Sequence, residues 1–180
     1  MTKKIPFLYK LGRLWMKFKF PQYKNPEPID FESAKTFGII YSRDNLLTET
    51  TIDNLFELLK KHRKIVFSLE YISKNTDDNY KLKEKNHFSL RNSDINMLGL
   101  PKKFIRENFC SNQFDILLNL SMEEEIFIHN IAEICQSKIK AGFSTDHDAR
   151  YDMLIDTSQT KDFKQLVDTV IDFLEKIKKY

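Results

Sequence analysis

The chain has 180 residues, 41% hydrophobic and 13% aromatic, with a formal net charge of +3. That is enough length and apolar content for one domain with its own core, and it excludes a globally disordered chain. Four glycines all but exclude a glycine-rich phosphate loop.

The charge is uneven. Residues 1–24 hold seven Lys or Arg and no acid, so the rest of the chain carries 3 − 7 = −4. A mildly acidic body argues against a nucleic-acid binder, whose folded face is usually basic. In residues 5–20, "IPFLYKLGRLWMKFKF", the apolar Phe7, Leu8, Leu11, Leu14, Trp15 and Phe18 share one side of a helical projection. Lys10, Arg13 and Lys17 form an adjacent stripe. Arg13, Lys17 and Lys19 interrupt any signal-peptide core. "PQYKNPEP" (21–28) ends the helix with three prolines. Residues 1–34 are therefore expected to be a basic amphipathic helix plus a connection, and residues 35–180 a single α/β domain.

Further along, "TFGIIYS" (36–42) predicts a strand. Thr48, Thr50 and Thr51 offer N-caps for a helix whose inward stripe is Ile52, Leu55, Phe56 and Leu59. "KIVFSLEYI" (64–72) predicts a second strand, which completes a right-handed βαβ unit. The polar stretch 73–86 reads as a surface excursion. It precedes a short strand near Phe88–Leu90, a turn at Gly99–Pro101 and a helix over 102–109. "FDILLNLS" (114–121) predicts a strand, followed by a helix with Ile126, Phe127, Ile131 and Ile134 inward and a capping box from Ser121 and Glu124. "KIKAGFS" (138–144) and "YDMLIDTS" (151–158) predict two more strands. The last helix carries Phe163, Leu166, Val167, Val170, Phe173, Leu174 and Ile177 on one side. Uninterrupted apolar strands alternating with helices imply a three-layer, open, mostly parallel, Rossmann-like sheet.

"FDILLNLS" followed by "IHNIAEICQSKIKAGFS" resembles the heptosyltransferase-like glycosyltransferases, and more loosely so does 36–72. The layout also resembles a family of short uncharacterised α/β proteins common in Bacteroidetes. The first likeness implies the amino-terminal half of a two-domain enzyme, with strand order 3-2-1-4-5 by analogy. It puts Asp44 where that family places a catalytic base. Here Arg43 replaces the family's glycine, and the chain ends before the second, sugar-binding domain.

Ligands of open parallel sheets bind outside the carboxyl ends of the strands. Ser42, Arg43, Asn45, Asn119, Ser121 and Asp156 are the candidate ligand residues there, beside Ser144 and Ser158. Asp146, His147 and Asp148 adjoin one another, but adjacent side chains diverge and a solvated loop is favoured over a metal site. His62, His87 and His129 stand apart from any nucleophile pattern. Cys110 and Cys135 read as buried small hydrophobes in a reducing compartment.

The front helix, with Lys10, Arg13, Trp15, Lys17 and Phe18, is expected to dock on the domain. An anionic membrane surface is the second reading and a protein partner's groove the third. The functional expectation is a non-enzymatic interaction or accessory module in the cytoplasm, at the inner membrane face where the helix meets lipid. The alternative is a degenerate or partner-dependent sugar-transfer domain that binds a nucleotide sugar at the strand carboxyl edge. No metal, cofactor or nucleic acid is expected.

Overall fold

Six apolar runs become strands: β1 Thr36–Ser42, β2 Ile65–Ile72, β3 His87–Arg91, β4 Gln113–Asn119, β5 Gln136–Ser144 and β6 Met153–Asp156. Among the described residues four α-helices accompany them: α1 Leu46–Lys61, α2 Lys103–Ile105, α3 Ile126–Ile134 and α4 Phe163–Lys176. A π-helical turn, Arg106–Cys110, continues α2. This computed structural model describes residues 29–43, 46–72, 86–122, 126–144, 151–157 and 162–176. The expected front helix, Glu124 of the capping box, the excursion through residue 85 and the 145–150 loop lie outside them.

The strands form one sheet in the order β3-β2-β1-β4-β5-β6, and every pairing is parallel. The expected order 3-2-1-4-5 holds for the first five strands, with β6 added beside β5. Ile116 and Leu118 are fully buried, as a strand covered on both faces requires.

Two apolar clusters, one on each face, make the layers. On one face α1 (Ile52, Leu55, Leu59) and α4 (Leu166, Val167, Val170, Leu174) cover Phe37, Ile39, Tyr41, Ile116, Leu118 and Phe143. On the other, α2, its π turn and α3 (Ile105, Phe109, Phe127, Ile128, Ile131) cover Ile40, Leu69, Tyr71, Leu90, Phe114 and Leu117. α1 starts at Leu46, so Thr48, Thr50 and Thr51 lie inside it rather than capping it. Thr51 is a buried position within the helix, and tertiary burial has overridden its capping preference.

The aspartate that opens the apolar run of β4 has a structural task. Asp115 accepts the backbone N–H groups of Lys35 (2.7 Å) and Thr36 (3.1 Å) and pairs with Lys138 Nζ at 3.0 Å. One carboxylate therefore fastens β4 to the start of β1 on one side and to β5 on the other. Burial pushes its pKa up, but the Lys35 N–H, Lys138 and the Thr36 N–H outweigh that and hold it below the ordinary 3.8.

Candidate functional site

β1 runs on to β2 on one side, while β4 pairs with the other side of β1. The direction of sheet growth reverses between β1 and β4. The crevice of an open α/β sheet lies at the carboxyl ends of such a pair. Ser42 ends β1, and Asn119, the register partner of Ile40, ends β4.

On the α2–α3 face the polar side chains at this point form a hydrogen-bonded network without a carboxylate. Ser42 Oγ and Ser121 Oγ are 2.7 Å apart and buried. The Ser121 N–H donates to Asn119 Oδ1 at 3.2 Å, an Asx-type turn just after β4. That backbone donor orients the amide, so Asn119 Nδ2 faces the Tyr151 hydroxyl oxygen and donates to it at 2.6 Å. His129 Nδ1, on α3, lies 3.0 Å from the same hydroxyl. The Tyr151 hydroxyl thus joins the Asn119 amide to the His129 imidazole, and whether the hydroxyl or the imidazole donates between the last two depends on the imidazole tautomer.

Gly142 on β5 makes room for this arrangement. A Cβ there would meet the Tyr151 ring at 2.8 Å. Beside this set, Tyr71 Oη donates to Asn92 Oδ1 at 2.9 Å, and its ring stands edge-on to Phe127 at 5.0 Å.

The opposite face carries a charged network. Arg43 Nε and Nη2 donate to Glu70 Oε1 and Oε2, both at 2.6 Å, in a bidentate fork. His87 Nε2 is 3.5 Å from Glu70 Oε2, and His87 Nδ1 is 2.6 Å from Ser68 Oγ. Glu70 is completely buried. Burial raises its pKa, but the bonds from His87 and Arg43 outweigh it and hold the carboxyl below the ordinary 4.5.

His87 is therefore not isolated, contrary to the expectation from sequence. Parallel pairing of β2 with β3 sets Ser68 directly opposite His87, a juxtaposition across 19 residues that linear spacing does not reveal. Serine, histidine and glutamate in contact have the composition of a catalytic triad. The geometry is otherwise: Arg43 neutralises the carboxylate, and Ser68 is buried in mid-strand rather than at a strand end. A triad serine must reach substrate with an oxyanion hole beside it.

Of the ligand residues expected from sequence, the structure brings Ser42, Asn119 and Ser121 together. Arg43 turns to the other face and is committed to Glu70. Asp156 ends the outer strand β6 and is exposed, two strands away from β4. Asp44, Asn45 and Ser158 lie outside the described residues, as do Lys10, Arg13, Trp15, Lys17 and Phe18. Sequence reasoning missed Glu70, Tyr71, His87, Tyr151 and Ser68 as members of the two networks. The one available signal was a charged residue, Glu70, inside the apolar run "IVFSLEYI". Among the described residues no group of His, Cys, Asp or Glu has the arrangement of a metal site, and no helix is long and apolar enough to cross a membrane.

The model of a family of unknown function, DUF6913, matches residues 10–177. The chain belongs to this family. No curated protein and no solved structure matches it. The match runs from within the basic front segment through α4 to Ile177, so membership in DUF6913 takes in the front segment and the αβ body together.

Proposed function

We propose that the chain is a non-enzymatic α/β interaction or accessory module whose folded body carries a basic front segment. The observation that carries this reading is how the polar groups at the carboxyl ends of the central strands are engaged. Ser42 bonds Ser121, Asn119 bonds Tyr151, and Arg43 is forked onto Glu70. Groups so paired hold the strand ends together, and a ligand reaching them would first have to break buried hydrogen bonds.

The body also exposes apolar side chains after β3: Met97 is 79% and Phe104 61% exposed. The sequence of residues 5–20 supports the inner membrane surface as the module's place. Its apolar side, with Trp15 and Phe18 beside Lys10, Arg13 and Lys17, suits anionic head groups. Co-sedimentation with vesicles containing phosphatidylglycerol tests that placement. The full chain is expected to sediment and a chain lacking residues 1–20 to stay in solution; equal behaviour of the two removes the membrane from the reading.

A second reading is a glycosyltransferase-like domain that takes a nucleotide sugar at the switch point between β1 and β4. It is favoured by the half-buried His129 beside Tyr151 and by the likeness of 113–144 to heptosyltransferase-like enzymes. A thermal-shift screen with nucleotide sugars and nucleoside diphosphates separates the two. The module reading expects an unchanged Tm at millimolar ligand, and a saturable rise would replace it with the second.

A further inference from the structure

Between β3 and α2 the chain folds into a small hairpin. Ile95 bridges Pro101 in the antiparallel sense. The Asn96 N–H donates to the Leu100 carbonyl and the Gly99 N–H to the Asn96 carbonyl, both at 2.9 Å. Asn96 Oδ1 accepts the Leu98 and Leu100 N–H groups at 2.9 and 3.0 Å. Gly99 turns the chain at φ 71°, in the left-handed region that glycine enters without strain. Leu100 is buried in the α2–α3 cluster and Leu98 packs against it, which seats the hairpin on the body. Met97 stands out from the same turn and is 79% exposed.

Phe104 follows three residues after the hairpin closes and is 61% exposed. Its ring leans edge-on against Phe88 at 6.1 Å, so it is held in place without being covered. Lys102 and Lys103 precede it and are exposed, and Arg91 and Arg106 are half-buried. Each lysine pairs with a neighbouring carboxylate, Asp94 at 3.0 Å and Glu107 at 3.5 Å, contacts that are weak at an exposed surface. Residues 91–108 hold four basic and two acidic residues, within a body, residues 25–180, whose net charge is −4. This surface is therefore locally positive on a body that is negative as a whole.

We propose that Met97, Lys102, Lys103 and Phe104 form a second contact with an anionic lipid surface, made by the folded body itself. This rests on the membrane placement proposed above. Three features favour lipid over a protein groove. Met97 and Phe104 project outward, and a fluid surface admits a projection that a rigid partner must be shaped to receive. Lysine is depleted in protein interfaces, whereas at a membrane its stem lies along apolar surface while its ammonium meets head groups. Four hairpin amides, those of Asn96, Leu98, Gly99 and Leu100, already have acceptors inside the hairpin. They can approach a medium poor in water without losing a partner. The chemistry also repeats that of residues 5–20, apolar side chains beside Lys and Arg. Two weak contacts on one chain reinforce each other. The front segment supplies the anchor, and the hairpin fixes which side of the body faces the lipid.

The test places one environment-sensitive fluorophore on the full chain, at Met97→Cys or, on the exposed side of α4 across the sheet, at Asp172→Cys. Cys110 and Cys135 are buried, so maleimide labelling of the folded chain goes to the introduced thiol. With phosphatidylglycerol vesicles the probe at 97 is expected to brighten and shift to the blue while the probe at 172 does not. Neither is expected to respond to phosphatidylcholine. In the unlabelled full chain, Met97→Ser/Phe104→Ser is expected to lower partition onto phosphatidylglycerol vesicles about tenfold at an unchanged Tm. Should that variant lose stability, the two probes decide alone. A chain that sediments with its probe at 97 still in water would overturn the second contact and leave the membrane placement standing. A full chain that does not sediment would remove placement and contact together. Two further results would overturn the proposal. A blue shift at 97 that needs no vesicles and grows with protein concentration would assign the surface to a second copy. Full vesicle affinity in the stable double variant would assign it to a protein partner.

Discussion

Two polar networks lie under opposite faces of the same sheet, and they solve burial differently. On the α1–α4 face a carboxylate is buried with a guanidinium and an imidazole, Arg43–Glu70–His87. On the α2–α3 face the chain Ser42–Ser121–Asn119–Tyr151–His129 holds no carboxylate, and its links are hydrogen bonds of 2.6–3.2 Å. An ion taken out of water is tolerable only with its partner in place, whereas a neutral group needs a hydrogen-bond partner and no more. The first network is therefore brittle to the loss of one member and sensitive to acid. The second should degrade by degrees.

The largest effect is expected from Glu70→Ala, which strands Arg43. It should cost about 3–5 kcal/mol in urea unfolding, and a value near that of an exposed substitution would remove the brittleness from the comparison. Next comes Gly142→Ala. Its methyl group would meet the Tyr151 ring at 2.8 Å, and overpacking of this kind costs about 1–3 kcal/mol. Adding Tyr151→Phe should restore little, because the ring stays.

Tyr151→Phe alone removes the hydroxyl between Asn119 and His129 and should cost ~1–3 kcal/mol, the range for leaving a buried polar group unsatisfied. Ser42→Ala is the mildest, with an expected loss of about 0.5–1.5 kcal/mol. A Ser42→Ala/Ser121→Ala double mutant should cost less than the sum of the singles, and strict additivity would dissolve the link.

Acid sharpens the same contrast. Glu70 and Asp115 have folded pKa values held below 4.5 and 3.8. Each contributes stability that is complete above its unfolded pKa and is lost as pH falls through the folded value. The urea midpoint should thus be flat near neutrality and drop below about pH 4.5. Glu70→Gln, less stable at neutral pH, should show a shallower drop. Tyr151→Phe should shift the whole curve and keep its slope.

Much of this fold was legible in the sequence. Continuous apolar runs such as "DILLN" announced strands covered on both sides, and the helical stripes at Ile52, Leu55 and Leu59 or Leu166, Val167 and Val170 announced the covering layers. Helix starts were less legible: Thr51 looked like a cap and is a buried helical position, because burial is a tertiary fact. The site was half legible. Ser42, Asn119 and Ser121 could be placed because strand ends are placed by topology. Ser68 against His87, or Tyr151 against Asn119, depends on register and on which face each side chain takes. One residue of slip reverses the latter, so a linear reading has no access to those contacts.

The carboxylate of Asp115 reaches back across 80 positions to the Lys35 amide, and this says something about synthesis. While the chain emerges amino end first, β1 can pair with β2 long before β4 exists. Until residue 119 is out, the other margin of β1 is an open row of peptide groups flanked by Phe37, Ile39 and Ile40, the kind of margin that recruits foreign strands. A nascent chain stalled shortly before residue 113 should therefore be sticky, and arrival of the "FDILLN" segment closes that margin.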